Sequence, residues 1–177
     1  QYVSFLRARV VVFWTKNPAP LLPHLQELED SGINYYFQFT INDYEAEGWE
    51  PNVPALERRI ETLAALCSRI GRDRVIWRFD PLLLSDTVTE AVLTEKIARV
   101  GSLAHRHTSK LVFSFADIAA YRKVRSNLAA AGIDYREFDA EAMRRMAQRI
   151  ADLNRGWGLD LATCAEAEGF EELGIRH

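Results

Sequence analysis

The stretch "VIWRFDPLLL" (residues 75–84) decides how the fold is read. Val75, Ile76, Trp77, Phe79 and Leu82 to Leu84 form an apolar run of the kind found in a strand covered on both faces, as in parallel sheets with helices outside them. Arg78 and Asp80 interrupt that run. A charge buried in such a segment is costly unless it is paired or used. Side chains alternate across a strand with period two, so Arg78 and Asp80 share one face while Trp77 and Phe79 take the other. The aromatics are therefore expected under a helix layer, and the two charges on the opposite face near the C-terminal end of the strand.

Outward from this strand the chain alternates between strand and helix signals. "RVVVFWT" carries Val10 to Trp14 without a break and reads as a fully buried strand. "PLLPHLQELEDSGI" follows, with Leu21, Leu22, Leu25 and Leu28 at helical spacing and Gly32 as a stop signal. Then come strand 35–41, helix 55–71, strand 74–80, a helix near 88–105, strand 110–116, helical stretches near 119–131 and 139–154, and strand 159–165. Five strands alternating with helices predict a parallel α/β sheet. No G-x-G-x-x-G or Walker loop follows the first strand, which argues against a doubly wound nucleotide fold. The expected architecture is a partial TIM-type (β/α) barrel, a single domain over residues 1–177.

Composition narrows the function classes. The chain has 177 residues, 48% hydrophobic and 27% charged, with a net charge of −3 and both signs interleaved. Those values suit one globular domain. They give no basic stripe for a phosphate backbone, so nucleic acid is not a supported partner. No apolar run approaches the roughly 18–20 residues of a membrane helix, and no signal peptide is read, so no membrane partner and a cytoplasmic location are expected. Cys67 and Cys164 are the only cysteines, too few for a disulfide framework or a four-thiolate site. "HRH" (105–107) is a weak ligand pattern, and no metal is expected in this chain. The start at Gln1 and the end at "GIRH" suggest a piece of a longer protein.

Polar residues collect at the C-terminal ends of the strands, where barrels and open α/β sheets carry their sites. The candidates for binding a small molecule are Lys16, Asn17, Gln38, Thr40, Arg78, Asp80, Ser114, Cys164 and Glu166. Each has a plainer alternative. Arg78 and Asp80 can be structural ions, Asn17 before Pro18 a polar turn, and Cys164 a packing residue. Cys67, among Leu63, Leu66 and Ile70, reads as packing. Glu50, in the loop after the second strand, is either part of a turn or a carboxylate brought over the rim.

The stretches "VVFWTKNPAPLLPHLQEL", "YYFQFTINDY", "EPNVPALERRIETLAALCSRIG", "RVIWRFDPLLL", "KLVFSFADI" and "WGLDLATCAEA", in this order, resemble a bacterial family known as domain of unknown function 1848. The resemblance implies a further N-terminal strand with a Ser-Arg-Arg-Thr-Asp pattern, giving six β-α units, and a Cys-rich tail beyond His177. It also implies a likeness to radical S-adenosylmethionine (SAM) proteins of the spore photoproduct lyase type. The implied cofactors are a [4Fe–4S] cluster and SAM in the full-length protein, neither held by this chain alone, with an electron-donor protein as a partner. In that setting Arg78 would meet a ligand carboxylate, Asp80 would orient Arg78 or bind a ribose hydroxyl, and Glu166 would hold the SAM amino group. Lys16, Gln38, Thr40 and Ser114 would line the pocket. The competing readings are a cluster-free barrel hydrolase or lyase and a non-catalytic binding domain.

Overall fold

A computed structural model describes residues 8–118, 122–130, 132–164 and 169–177. Among the described residues eight strands and five α-helices run β1 (Val10–Thr15), α1 (Leu25–Asp30), β2 (Asn34–Thr40), α2 (Leu56–Ile70), β3 (Val75–Leu82), β4 (Leu84–Ser85), α3 (Glu90–Ala104), β5 (Lys110–Phe115), α4 (Arg122–Ala130), β6 (Tyr135–Arg136), α5 (Ala140–Asn154), β7 (Asp160–Thr163) and β8 (Ile175–Arg176). Short 3-10 turns precede α1, β3 and β8.

The main sheet has six strands in the order β1-β2-β3-β5-β7-β8, and every neighbouring pair is parallel. Strand order thus follows chain order with no reversal, unlike a doubly wound sheet, which turns back at a switch point. Parallel crossovers are right-handed, so a sheet that keeps advancing in one direction holds its crossover helices on one face. The end strands β1 and β8 do not pair with each other, and the sheet is open. The expectation of five strands falls short by one, because Ile175–Arg176 adds a sixth beside β7. A separate antiparallel pair, β4 with β6, was also not foreseen. Two-residue strands leave no periodicity to read.

The helix-facing side of the sheet forms the core. Phe37 and Phe39, Trp77 and Phe79, Leu111 and Phe113 are fully buried there. They meet Leu63 and Leu66 of α2, Leu93 and Ile97 of α3, and Met146 and Ile150 of α5 in one apolar cluster. Sequence details set the helix limits. Thr89 caps α3 by accepting from Val92 N, and Asp139 caps α5 by accepting from Ala142 N at 2.7 Å. The first helix is split, with a 3-10 segment over Ala19–His24 before α1. Pro23 inside that segment has no N–H to close an α-helical bond.

β1 departs from its sequence reading. As an edge strand it is not fully buried: Val10, Val12 and Trp14 are 50%, 44% and 60% exposed. Its run of valines is β-branched because it is a strand, not because both faces are covered.

Candidate functional site at the C-terminal ends of the parallel strands

Register aligns the second face of the sheet. Trp14 lies beside Gln38 across β1 and β2, and Thr40 lies beside Arg78 across β2 and β3. The Phe79–Phe113 and Phe113–Thr163 pairings put Asp80, Ser114 and Cys164 in the following row. Strand alternation therefore converts a scatter of polar residues into one surface.

Arg78 is the hub of that surface, although it is buried. Its Nε and Nη2 donate to the same Asp80 Oδ2 at 3.0 and 2.9 Å, and its Nη1 donates to Gln38 Oε1 at 2.6 Å. These bonds use three of the five N–H donors of a guanidinium. The guanidinium carbon lies over the Trp14 ring, 4.3 Å from its centre. Trp14 in turn donates its indole N–H to Thr40 Oγ1 at 3.3 Å. Ser114 Oγ donates to the other oxygen of Asp80. The charge in "VIWRFDPLLL" is thus paired, hydrogen-bonded and stacked, which is what burial of an ion demands.

A second group joins through Asn42. Its side-chain oxygen accepts from the backbone N–H of Asp80 at 2.9 Å, and its amide donates to Asp80 O at 3.0 Å and to Glu50 Oε1 at 3.1 Å. Glu50 is nearly buried, takes an ion pair from Lys16 at 2.5 Å and faces Arg59 of α2 at 3.6 Å. Arg59 also reaches Glu45 at 3.1 Å, and Glu45 accepts from the backbone N–H of Leu56, replacing a side-chain cap at the start of α2. Lys16, Arg59 and Arg78 balance Glu45, Glu50 and Asp80, so the surface presents both signs without a net excess. Tyr44 closes the buried side, donating to Pro81 O and accepting from Leu83 N; burial raises its phenol above the ordinary range.

Of the sequence candidates, Gln38, Thr40, Arg78, Asp80 and Ser114 come together directly, and Lys16 joins through Glu50. Asn17 does not join them. Its side chain accepts from Ala19 N at 3.3 Å, so it serves the turn into the 3-10 segment. Cys164 lies on the same face beyond Ser114 and is half-buried. Glu166 lies outside the described residues. Sequence reasoning did not assign Trp14, Asn42 or Arg59 to the site and left Glu50 open between a turn and a carboxylate over the rim. The signal for Asn42 was present, since 38, 40 and 42 share a face by alternation. Arg59 also sits at an inward position of α2, in step with Leu56, Leu63 and Leu66.

The described residues do not fit an iron–sulfur cluster, which needs three thiolates converging. Cys67 is buried within α2 on the helix layer, where burial pushes its thiol up to about 12, and Cys164 is on the other face of the sheet. No group of three or more His, Cys, Asp or Glu able to hold a metal occurs among the described residues. No helix there is long and apolar enough to cross a membrane.

Fold and site together define an α/β domain with a charge-balanced polar surface at the C-terminal ends of parallel strands. The chain belongs to the family described as Domain of unknown function (DUF1848), which matches residues 1–177. No curated protein matches it.

Proposed function

We propose that the chain is a partial (β/α) barrel whose rim binds a small polar molecule, and that it is the barrel portion of a radical SAM-like iron–sulfur protein of unknown substrate. The observation that carries the binding reading is the Arg78 hub. Side chains from β1, β2 and β3 meet one guanidinium, and Ser114 of β5 joins them through Asp80, at the strand ends where α/β folds hold ligands. Strand order that follows chain order supports the barrel.

A ligand bearing both a carboxylate and an ammonium suits the balanced charges. Arg78 keeps two N–H donors for a carboxylate, with Lys16 as a second cation. Asp80 orients the guanidinium, one of the two roles expected of it, and Asp80 and Glu50 supply acceptors. In this reading the cluster thiolates belong to the longer protein, outside the described residues.

The carboxylate of Asp80 held between Arg78 and Ser114 also supports a second reading, a cluster-free barrel hydrolase or lyase with Asp80 or Glu166 as base and Lys16 or Arg78 as electrophile. Iron and sulfide content, with EPR of the reduced full-length protein with and without SAM, separates the two. A [4Fe–4S] signal that changes on adding SAM supports the first. A well-folded protein that takes up no cluster under anaerobic reconstitution discards it in favour of the second.

A further inference from the structure

A cleft of about 430 Å³ opens between β4, the start of α3, β6 and α5. Its volume falls within the range of small-molecule sites, and none of the rim residues lines it. Arg136 of β6 and Arg145 and Arg149 of α5 line it, with Glu90 as the one carboxylate among the described lining residues. The walls thus carry a surplus of two positive charges, in a chain whose net charge is −3. The rim differs in this respect, since its cations are matched by its own carboxylates.

The three guanidiniums are engaged to different degrees. Arg145 is fixed by Glu90, which accepts from its Nη2 at 2.8 Å and its Nε at 3.3 Å, and by Glu141, 3.1 Å from its Nη1. Arg136 donates its Nε and Nη2 to Asp86 Oδ1, and its Nη1 has no hydrogen-bond acceptor among the described residues. Arg149 has neither a hydrogen bond nor an ion pair with any described residue. It sits one helical turn after Arg145, a spacing at which like charges repel. An anion seated between them turns that repulsion into attraction. Guanidinium edges pair in parallel with phosphate or carboxylate oxygens. Here the open donors come from two elements, β6 and α5, which suits a tetrahedral group with oxygens in several directions better than a planar carboxylate. The surplus of two charges also matches a phosphate monoester, which carries about −1.5 to −2 near neutral pH. Leu84 and Ala91 add an apolar wall for an organic part, in a cleft with more room than a bare phosphate fills.

We propose that this cleft is a second ligand site, separate from the rim, and that it takes the phosphoryl group of a small phosphate monoester. Arg136 and Arg149 supply the open donors, and Glu90 and Glu141 hold Arg145 in place beside them. The proposal depends neither on the rim being a binding site nor on a cluster.

The test is a titration of the full-length protein with phenyl phosphate at constant ionic strength, followed by phosphorus NMR, with inorganic phosphate and benzoate as competitors. Phenyl phosphate is expected to bind saturably and more tightly than either competitor. Arg149→Gln is expected to weaken it by about 10- to 150-fold, the range for loss of one hydrogen bond to a charged group. Its urea midpoint is expected to match wild type, because Arg149 is exposed and has no partner among the described residues. Arg155→Gln, just past the end of α5 and outside the cleft lining, is expected to bind like wild type. Equal losses in the two variants mark diffuse surface charge and overturn the proposal, as does the absence of a saturable shift. Inorganic phosphate bound as tightly as phenyl phosphate leaves an adventitious ion only, and benzoate bound as tightly removes the preference for a phosphoryl group; either result overturns it. A short RNA that displaces phenyl phosphate at far lower concentration, with an affinity that falls steeply as salt rises, assigns the cleft to nucleic acid and overturns it too.

Discussion

Truncating Asp80 tests whether the Arg78 hub works as one unit. Asp80→Ala removes the oxygen that accepts two N–H bonds from Arg78 and leaves a guanidinium that is 3% exposed with Gln38 as its hydrogen-bonding partner. Removing one partner of a buried pair costs about 3–5 kcal/mol. The Asp80 side chain is 16% exposed, so water can reach the vacated space, which favours the lower end of that range. Ser114 loses its acceptor as well, adding roughly 1 kcal/mol. The total of about 3–4 kcal/mol corresponds to a fall in Tm of roughly 6–16 °C for a domain of this size. Urea and thermal unfolding of Asp80→Ala, Arg78→Met and the double variant measure it. The double variant is expected to cost about 2 kcal/mol less than the sum of the single ones, because Arg78→Met removes the charge that Asp80→Ala strands. A single-variant cost under about 1 kcal/mol, or additivity within about 0.5 kcal/mol, refutes the hub.

Other perturbations probe the parts that carry this surface. A Cβ on Gly101 of α3 falls 2.2 Å from the Trp157 ring, so Gly101→Ala is expected to destabilise by about 1–3 kcal/mol and to alter the near-UV circular dichroism of the packed Trp77–Trp157 pair. An unchanged urea midpoint contradicts this packing. Glu50→Ala removes the acceptor of Asn42 and one of the two carboxylates facing buried Arg59, which keeps Glu45, and is expected to cost about 1–3 kcal/mol, whereas Lys16→Met, at the exposed end of the same ion pair, is expected to cost under about 1 kcal/mol; equal costs for the two count against this arrangement. The Cys67 thiol, raised by burial from its ordinary 9.0 to about 12 in the fold, binds its proton more tightly when folded. Its contribution to stability is fully present below about pH 9 and is lost as pH rises toward 12. Stability of wild type is thus expected to fall more steeply across that window than stability of Cys67→Ala, and parallel curves from urea midpoints tell against it.

Much of this arrangement was legible in the sequence, because period two and period 3.6 are strong signals. The helix expected at 55–71 forms at Leu56–Ile70, and the one expected at 139–154 at Ala140–Asn154. Helix 119–131 is found as Arg122–Ala130, with 119–121 and 131 outside the described residues. Alternation alone put Arg78 and Asp80 opposite Trp77 and Phe79. The failures have separate physical causes. A run of Val10 to Trp14 does not say whether a strand is central or at an edge, since β-branched residues suit both. The role of Arg59 depends on a loop folding back over the rim, and a charged residue within a helix usually reads as solvated. Asn17 has the composition of a site residue, but its geometry is that of a turn, and Asn-Pro permits either. The tolerance for Gly101 in mid-helix comes from Trp157, far along the chain, which no local pattern reveals.

The claim that holds the account together is that the strand ends around Arg78 are where this protein meets its ligand. Hydrogen–deuterium exchange of the full-length protein with and without SAM locates that contact directly. Slowed exchange confined to peptides spanning residues 14–17, 38–44, 78–82 and 112–116 is the expected result. Protection centred on the cleft lined by Leu84 and Ser85 of β4 with Arg136, Arg145 and Arg149, or unchanged exchange at the strand ends under saturating SAM, contradicts it.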